Sequence, residues 1–310
     1  MSPCRRQDLR GSAGPATQCW SPPAPARHLR PARQPHRRRR RRRYIRVGSP
    51  SGAQGSEPLA GEGGCGLIAW LIRHGESEGN AGLPTRSPGD SALTARGVEQ
   101  AELVAAAFDG PPGLIVASPY RRAAQTAAAT VARFPAAPRE EWPVQEFTYL
   151  GRLHGRLTTA AERQRLREAY WARADPWRVD GPRSESFQDV LGRGRDMLER
   201  LRGVERLPGV GAPTVAVFTH ALFIRATLWP LLGGAGDVST EEMRRFRAFA
   251  LGFPIPNGAV VELRFAPRDG VAVGGVSTAH LPPELVTGTG GSRAAPVTSS
   301  GGRRRSGRTR

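Results

Sequence analysis

The residues with chemistry to offer sit where apolar runs end. Residues 67–72 form such a run, and it delivers Arg73 and His74 side by side into a turn that begins at Gly75 and closes at Asn80. A second apolar run, 114–117, empties into Ser118-Pro119-Tyr120-Arg121-Arg122. A third, 214–219, ends at His220. Imidazole is a good nucleophile toward phosphorus near neutral pH because much of it is unprotonated. Arginine offers a planar fork for phosphate oxygens, an asparagine amide adds a donor, and glycine lets the backbone approach an oxyanion. His74 is therefore the candidate nucleophile. Arg73, Asn80, Arg122 and His220 are candidate phosphate ligands, and the chemistry is phosphoryl transfer.

A lone histidine is more often a satisfied core residue than a catalyst, and a lone arginine on a helix is more often solvated. What separates these residues from that background is their placement. In an open α/β sheet ligands bind at the carboxyl ends of the strands, and a helix N-terminus following a strand favours anions. A metal pair is the competing reading for the two histidines. It fails on spacing, because the chain has no His-x-x-x-His and no Cys-x-x-Cys. No metal is expected on this spacing.

The elements that must position these residues follow from periodicity. Residues 67–72, 114–117, 142–147, 214–219 and 259–265 read as buried strands. Helices are expected from 93–101 onward with Thr94 as N-cap, over 120–133 with Ser118 as N-cap and Pro119 at the first helical position, and over 159–174, 184–204, 221–232 and 241–250. Strands alternating with helices predict an α/β fold, a three-layer α/β/α sandwich with a mostly parallel central sheet. One domain over 66–267 is expected, with residues 158–183 as a lid over the substrate.

The ends differ from this. The chain of 310 residues carries a formal charge of +19, yet residues 1–46 hold fourteen arginines against one acid and residues 291–310 hold six against none. The whole excess lies there, and the intervening domain is neutral. All basic residues are Arg, with Ala, Gly and Pro abundant, as a G+C-rich coding bias would give. The run 37–43 thus reads as composition rather than a nucleic-acid-binding arm. Residues 1–65 and 268–310 are expected to be disordered. Three cysteines give no disulfide framework. Arg5-Arg6 precedes no apolar stretch and no run approaches a membrane span, so neither export nor a membrane partner is expected, and the location expected is cytoplasmic. Oligomeric state is not legible.

Taken together, Arg73-His74-Gly75-Glu76 with Asn80, Leu93-Thr94-x-x-Gly97 with Gln100-Ala101, Ser118-Pro119-x-x-Arg122-Ala123-x-Gln125-Thr126, and His220 resemble the histidine phosphatase superfamily, which includes the cofactor-dependent phosphoglycerate mutases. The likeness covers roughly residues 67–265. It implies a phosphohistidine formed on His74, with Arg73, Asn80, Arg122 and His220 holding the phosphoryl oxygens of a small phosphorylated substrate. It also implies a carboxyl acid for the leaving oxygen, which by position is Glu146. Here the chain departs from the family: Gly151-Arg152-Leu153-His154-Gly155 stands where Gly-x-Trp-Glu-Gly is common. Mutases of this kind carry Trp before the Asn of the first block, and this chain has Gly79 there. The resemblance thus favours a phosphatase over a mutase or a non-catalytic phospho-ligand-binding relative. Arg152, Arg156, Arg163 and Arg165 are candidates for reading a second anionic group.

Overall fold

The computed structural model of the chain describes residues 66–204, 214–233, 237–266 and 270–289. The expectations for residues 1–65 and for the chain from 290 onward lie outside the described residues. In order, the elements are β1 (Ile68–Arg73), α1 (Ala95–Ala106), β2 (Leu114–Ala117), α2 (Arg121–Arg133), β3 (Arg139–Glu141), α3 (Ala160–Arg173), α4 (Phe187–Val204), β4 (Thr214–Thr219), α5 (Ala221–Leu228), α6 (Thr240–Gly252), β5 (Val260–Phe265) and β6 (Val271–Ser277). Short 3-10 turns occur at Gly151–Leu153 and Pro283–Leu285.

The strands form one six-stranded sheet in the order β3-β2-β4-β1-β5-β6. β3, β2, β4 and β1 run parallel, while β5 and β6 are antiparallel additions at one edge. Of the parallel strands, β1, β2 and β4 are largely buried on both faces, which explains why β1 and β4 read as nearly continuous apolar runs. Alternate residues serve opposite layers. Ala69, Leu71, Val116, Val215 and Val217 pack with α4, α5 and α6 in one core cluster. Ile72, Ile115, Ala216 and Phe218 pack with Val104 and Phe108 from the α1 side and Ala127 of α2 in the other. The three-layer α/β/α architecture follows from that alternation.

Three local expectations are corrected. Residues 142–147 are not a strand. β3 lies just before them, and the chain from Trp142 to Tyr149 is irregular, although Trp142, Val144, Phe147 and Tyr149 are buried. Pro143 has no N–H to give a ladder. The guanidinium of Arg193 instead takes the carbonyls of Pro143 (2.6 Å) and Gln145 (3.1 Å), and Thr219 Oγ1 takes that of Val144 at 2.5 Å. β3 itself is Arg-Glu-Glu and fully exposed, a charged edge strand of the kind that resists pairing with other chains.

The helix after β2 begins at Arg121 with Tyr120 as N-cap, so Ser118 is not the cap and Pro119 is not its first residue. The serine hydroxyl is engaged elsewhere, as described below. The sheet also does not stop near residue 267: β6 completes it, with Val271, Val273 and Val276 packed on the core. Its Gly274-Gly275 pair gives it the composition of a tail, but backbone pairing with β5 holds it.

Candidate active site

β1, β2 and β4 are adjacent and parallel, so their carboxyl ends present Arg73-His74, Ser118 and His220 at one sheet edge. The turn after His74 is pressed against the first turn of α1. A Cβ on Gly75 would lie 2.4 Å from the Gly97 carbonyl oxygen, and one on Gly97 would lie 2.0 Å from that of Glu76. Only two facing glycines allow this approach. Thr94 caps α1 by accepting from Gly97 N at 3.1 Å. Gln100 Oε1 accepts from Glu76 N at 2.6 Å, and Thr126 Oγ1 accepts from Gly75 N at 3.0 Å. The turn is thus fixed from both helices of that layer.

His74 is 3 % exposed and His220 fully buried, with their rings 5.1 Å apart. The His74 Nδ1 lies 2.7 Å from the Gly75 carbonyl, an acceptor, so Nδ1 carries the proton and Nε2 carries the lone pair. The Nε of Arg122 donates to that lone pair at 3.0 Å, and the same guanidinium donates to the Pro88 carbonyl. Ser118 Oγ accepts from Tyr120 N at 3.2 Å and meets His220 Nε2 at 2.8 Å. The serine hydrogen is thereby available to Nε2, which leaves His220 Nδ1 as an N–H donor. That Nδ1 is buried without a partner among the described residues, as is Nε of Arg73. Buried polar groups are nearly always satisfied, and two donors left open beside His74 suit an acceptor-rich group.

Arg73 donates to the Ile255 carbonyl at 2.5 Å and is 7 % exposed. Desolvation lowers its pKa to about 10, against an opposing pull from Glu146. Burial also lowers the pKa of Arg122. Neither guanidinium has a carboxylate within ion-pair distance among the described residues. Buried charge is costly unless compensated, and what these two guanidiniums meet among the described residues is the backbone carbonyls of Ile255, Gly288 and Pro88. Glu146 lies at the same edge. Its Oε1 accepts from Phe147 N and from Phe223 N in the first turn of α5, each at 3.1 Å, while Oε2 has only Leu222 N at 3.4 Å. Asn80 is exposed at the rim. Its Oδ1 is taken by Ser77 Oγ (3.1 Å) and Asn257 Nδ2 (3.0 Å), leaving its amide hydrogens for the cleft.

A cleft of about 270 Å³ is lined by Arg73, His74, Asn80, Arg122 and Glu146 and closed over by the loop before α1 and by α3, while His220, fully buried beside His74, is not in its lining. Loop and α3 entrance are joined by a reciprocal backbone pair, Thr85 with Thr158, at 3.0 Å each way. Of the arginines considered for a second anion, Arg163 lines the cleft. Arg152 is paired with Asp180 instead, and Arg156 and Arg165 are exposed outside it. Arg86 and Arg167 also line it, and sequence reasoning did not single them out. Nor did it find the role of Ser118, misread as a cap, or that of Asn257, whose Nδ2 donates to the His74 carbonyl at 3.1 Å. Asn257 stands alone in a Pro-Asn-Gly turn, and nothing in its surroundings marks it. Among the described residues no group of three His, Cys, Asp or Glu could hold a metal ion, and no helix is long and apolar enough to cross a membrane.

Both imidazoles are held well below the ordinary histidine pKa of 6.5, by burial first and then by the neighbouring positive charge of Arg122. Opposite effects on activity and stability are expected. The His74 lone pair stays free as pH falls through 6.5, so the acid limb of kcat/KM lies well below that value. Over the same range the unfolded chain binds protons that the folded one refuses, so stability falls as pH drops from about 6.5, by roughly 1 kcal/mol per imidazole per pH unit. A pH–rate profile and urea unfolding at pH 7.5 and 5.5 check this. An acid limb at or above 6.5 would contradict it.

The residues 69–274 match the model of the histidine phosphatase superfamily (branch 1). No curated protein matches the chain. Solved structures do. The α-ribazole phosphatase of Shigella flexneri is 22% identical over 68% of this chain and 96% of its own, with a TM-score of 0.51. Phosphoserine phosphatase of Entamoeba histolytica, in complex with 3-phosphoglyceric acid, is 22% identical over 70% of this chain and 100% of its own, TM-score 0.52. A mycobacterial glucosyl-3-phosphoglycerate phosphatase in complex with VO3 is 27% identical over 67% of this chain and 96% of its own, TM-score 0.50.

Proposed function

The chain belongs to the histidine phosphatase superfamily, and from that premise we propose that it hydrolyses small phosphomonoesters through a phosphohistidine on His74. The observation that carries this reading is the His74 Nε2 lone pair, buried and facing Arg122, with unpaired donors on Arg73 and His220 beside it. An entering phosphoryl group takes over the Arg122 donor and fills the two open ones. His74 Nε2 attacks phosphorus, the N–P bond forms, the ester P–O bond breaks, and the leaving oxygen takes a proton from Glu146. Water then attacks phosphorus, gives its proton to the Glu146 carboxylate, and releases His74 and orthophosphate. Positioning and charge stabilisation are most of what phosphoryl transfer asks of a protein, and no step here needs a cofactor. Gly79, in place of the mutase tryptophan, favours water as the acceptor over a second substrate hydroxyl.

The cleft also favours a substrate with further negative charge. Arg86, Arg163 and Arg167 line it and none is ion-paired among the described residues. Arg163 and Arg167 stand four apart on α3, where like charges repel. Arg163 is occupied by Thr85 and Thr158, whereas Arg167 donates to its exposed helix neighbour Gln164, so Arg167 gives the cleaner test. Replacing Arg167 by Ala is expected to raise KM for esters with a second anionic group by roughly five- to twentyfold, and by less for a simple aryl phosphate. A panel of phosphorylated metabolites given to the purified chain tests the main reading: orthophosphate release that survives a chelator is expected. No release from any ester, or an isomeric ester instead of orthophosphate, would overturn it.

A further inference from the structure

The family match ends at residue 274, yet the described chain continues to 289 and returns to the site from behind. After β6 it passes buried Leu281, makes the turn Pro283–Leu285, and runs along the base of the nucleophile's turn. Gln100 Nε2 donates to the Leu285 carbonyl at 2.6 Å and to Thr287 Oγ1 at 3.1 Å. Asn257 N donates to the Thr287 carbonyl at 2.9 Å, and Thr287 Oγ1 donates to Asn257 Oδ1 at 3.3 Å. Arg73 NH1 donates to the Gly288 carbonyl at 3.1 Å. The three side chains held in this way hold the turn after His74 or stand next to it. Gln100 holds Glu76 N, Asn257 holds the His74 carbonyl and Asn80, and Arg73 is the adjacent guanidinium.

We propose that residues 281–289 are a positioning strap for the phosphate site, with Gly288 as its positioning residue, whose carbonyl aims the Arg73 guanidinium. Gly288 has φ +73°, and a Cβ there would lie 2.6 Å from Arg73 NH1 and 2.4 Å from Asn257 Oδ1. The strap is therefore threaded so closely that only glycine clears the arginine. Among the described residues Arg73 is buried with one nitrogen unpaired, and its guanidinium is held by two carbonyls, those of Ile255 and Gly288. Losing one lets the fork swing, and sub-ångström misplacement of a group that stabilises the transition state is costly. The proposal rests on the reading that Arg73 holds phosphoryl oxygens.

The test is Gly288→Ala in the full chain, read by steady-state kinetics on an aryl phosphate, by calorimetric titration with orthophosphate, and by thermal melting. A fall in kcat of roughly ten- to a hundredfold is expected, with weaker orthophosphate binding and a melting temperature within about 3 °C of the native chain. Added to Arg73→Ala, the same substitution should cost clearly less than it does alone, the remainder coming from its approach to Asn257, whereas a purely structural role for the strap would give the full loss again. Native activity in Gly288→Ala, or the same loss on top of Arg73→Ala, overturns the proposal. Should Gly288→Ala fail to fold, Thr287→Ala takes its place: a several-fold fall in kcat supports the strap, and full activity overturns it. A native chain that binds orthophosphate but hydrolyses no ester ends the phosphatase reading alone, and the binding arm still decides the strap by whether Gly288→Ala weakens that binding. A native chain that binds no orthophosphate overturns both.

Discussion

Replacing His74 by Ala is expected to lower kcat by at least ~10⁴-fold, the scale seen when a nucleophile is removed from a preorganised site. Brief exposure of the native chain to a substrate labelled on phosphorus, followed by a non-acidic quench, is expected to trap label on His74, and none on the variant. Binding should behave differently from turnover. Arg73, Arg122 and His220 remain, and deletion of the imidazole frees the Arg122 Nε that it occupies. Orthophosphate affinity should therefore change by less than about tenfold. That contrast separates chemistry from structure: a general collapse of the pocket would lose both. Retention of turnover within tenfold of native would move the nucleophile elsewhere.

The sequence made the nucleophile's surroundings legible because each piece is a strand exit. β1, β2 and β4 carry nearly unbroken apolar runs, and the residue types change abruptly at Arg73, Ser118 and His220. Parallel pairing then brings those exits together. The failures have a common cause as well. Trp142, Val144 and Phe147 are apolar and buried as strand residues would be, but the parity breaks before Phe147, and Pro143 and the Arg193 guanidinium replace the ladder with side-chain bonds, which periodicity does not register. In β6 the Gly274-Gly275 pair and a register shift against β5 break the alternation of Val271, Val273 and Val276 that would have marked a strand. Ser118 followed by Pro119 has the composition of a helix start, yet the hydroxyl is used across the sheet by His220 from 102 residues away. Asn257 and Gly288 act on the site from separations of more than 180 residues, and no local pattern encodes such a contact.

Glu146 is placed by the same long-range logic, and its expected behaviour is the sharper test of mechanism. The irregular segment that replaces the expected strand brings it beside the start of α5, where Oε1 is fixed by two amides and Oε2 is held only loosely. The loosely held oxygen is the one able to carry a proton toward the leaving group. Replacing Glu146 by Gln keeps an oxygen for the two amides and removes the proton donor. For an alkyl phosphate, whose alkoxide leaves poorly, kcat should fall by roughly 10²- to 10⁴-fold. For an aryl phosphate whose leaving group is stable as an anion, phosphorylation of His74 needs no acid and should slow by less than about tenfold, visible as a retained burst of the phenolate. The later steady rate should still fall, because attack of water on the phosphohistidine uses the same carboxylate as base. Parallel loss of burst and steady rate with both substrates would assign the acid to a different group, with unchanged melting confirming that the pocket itself had survived.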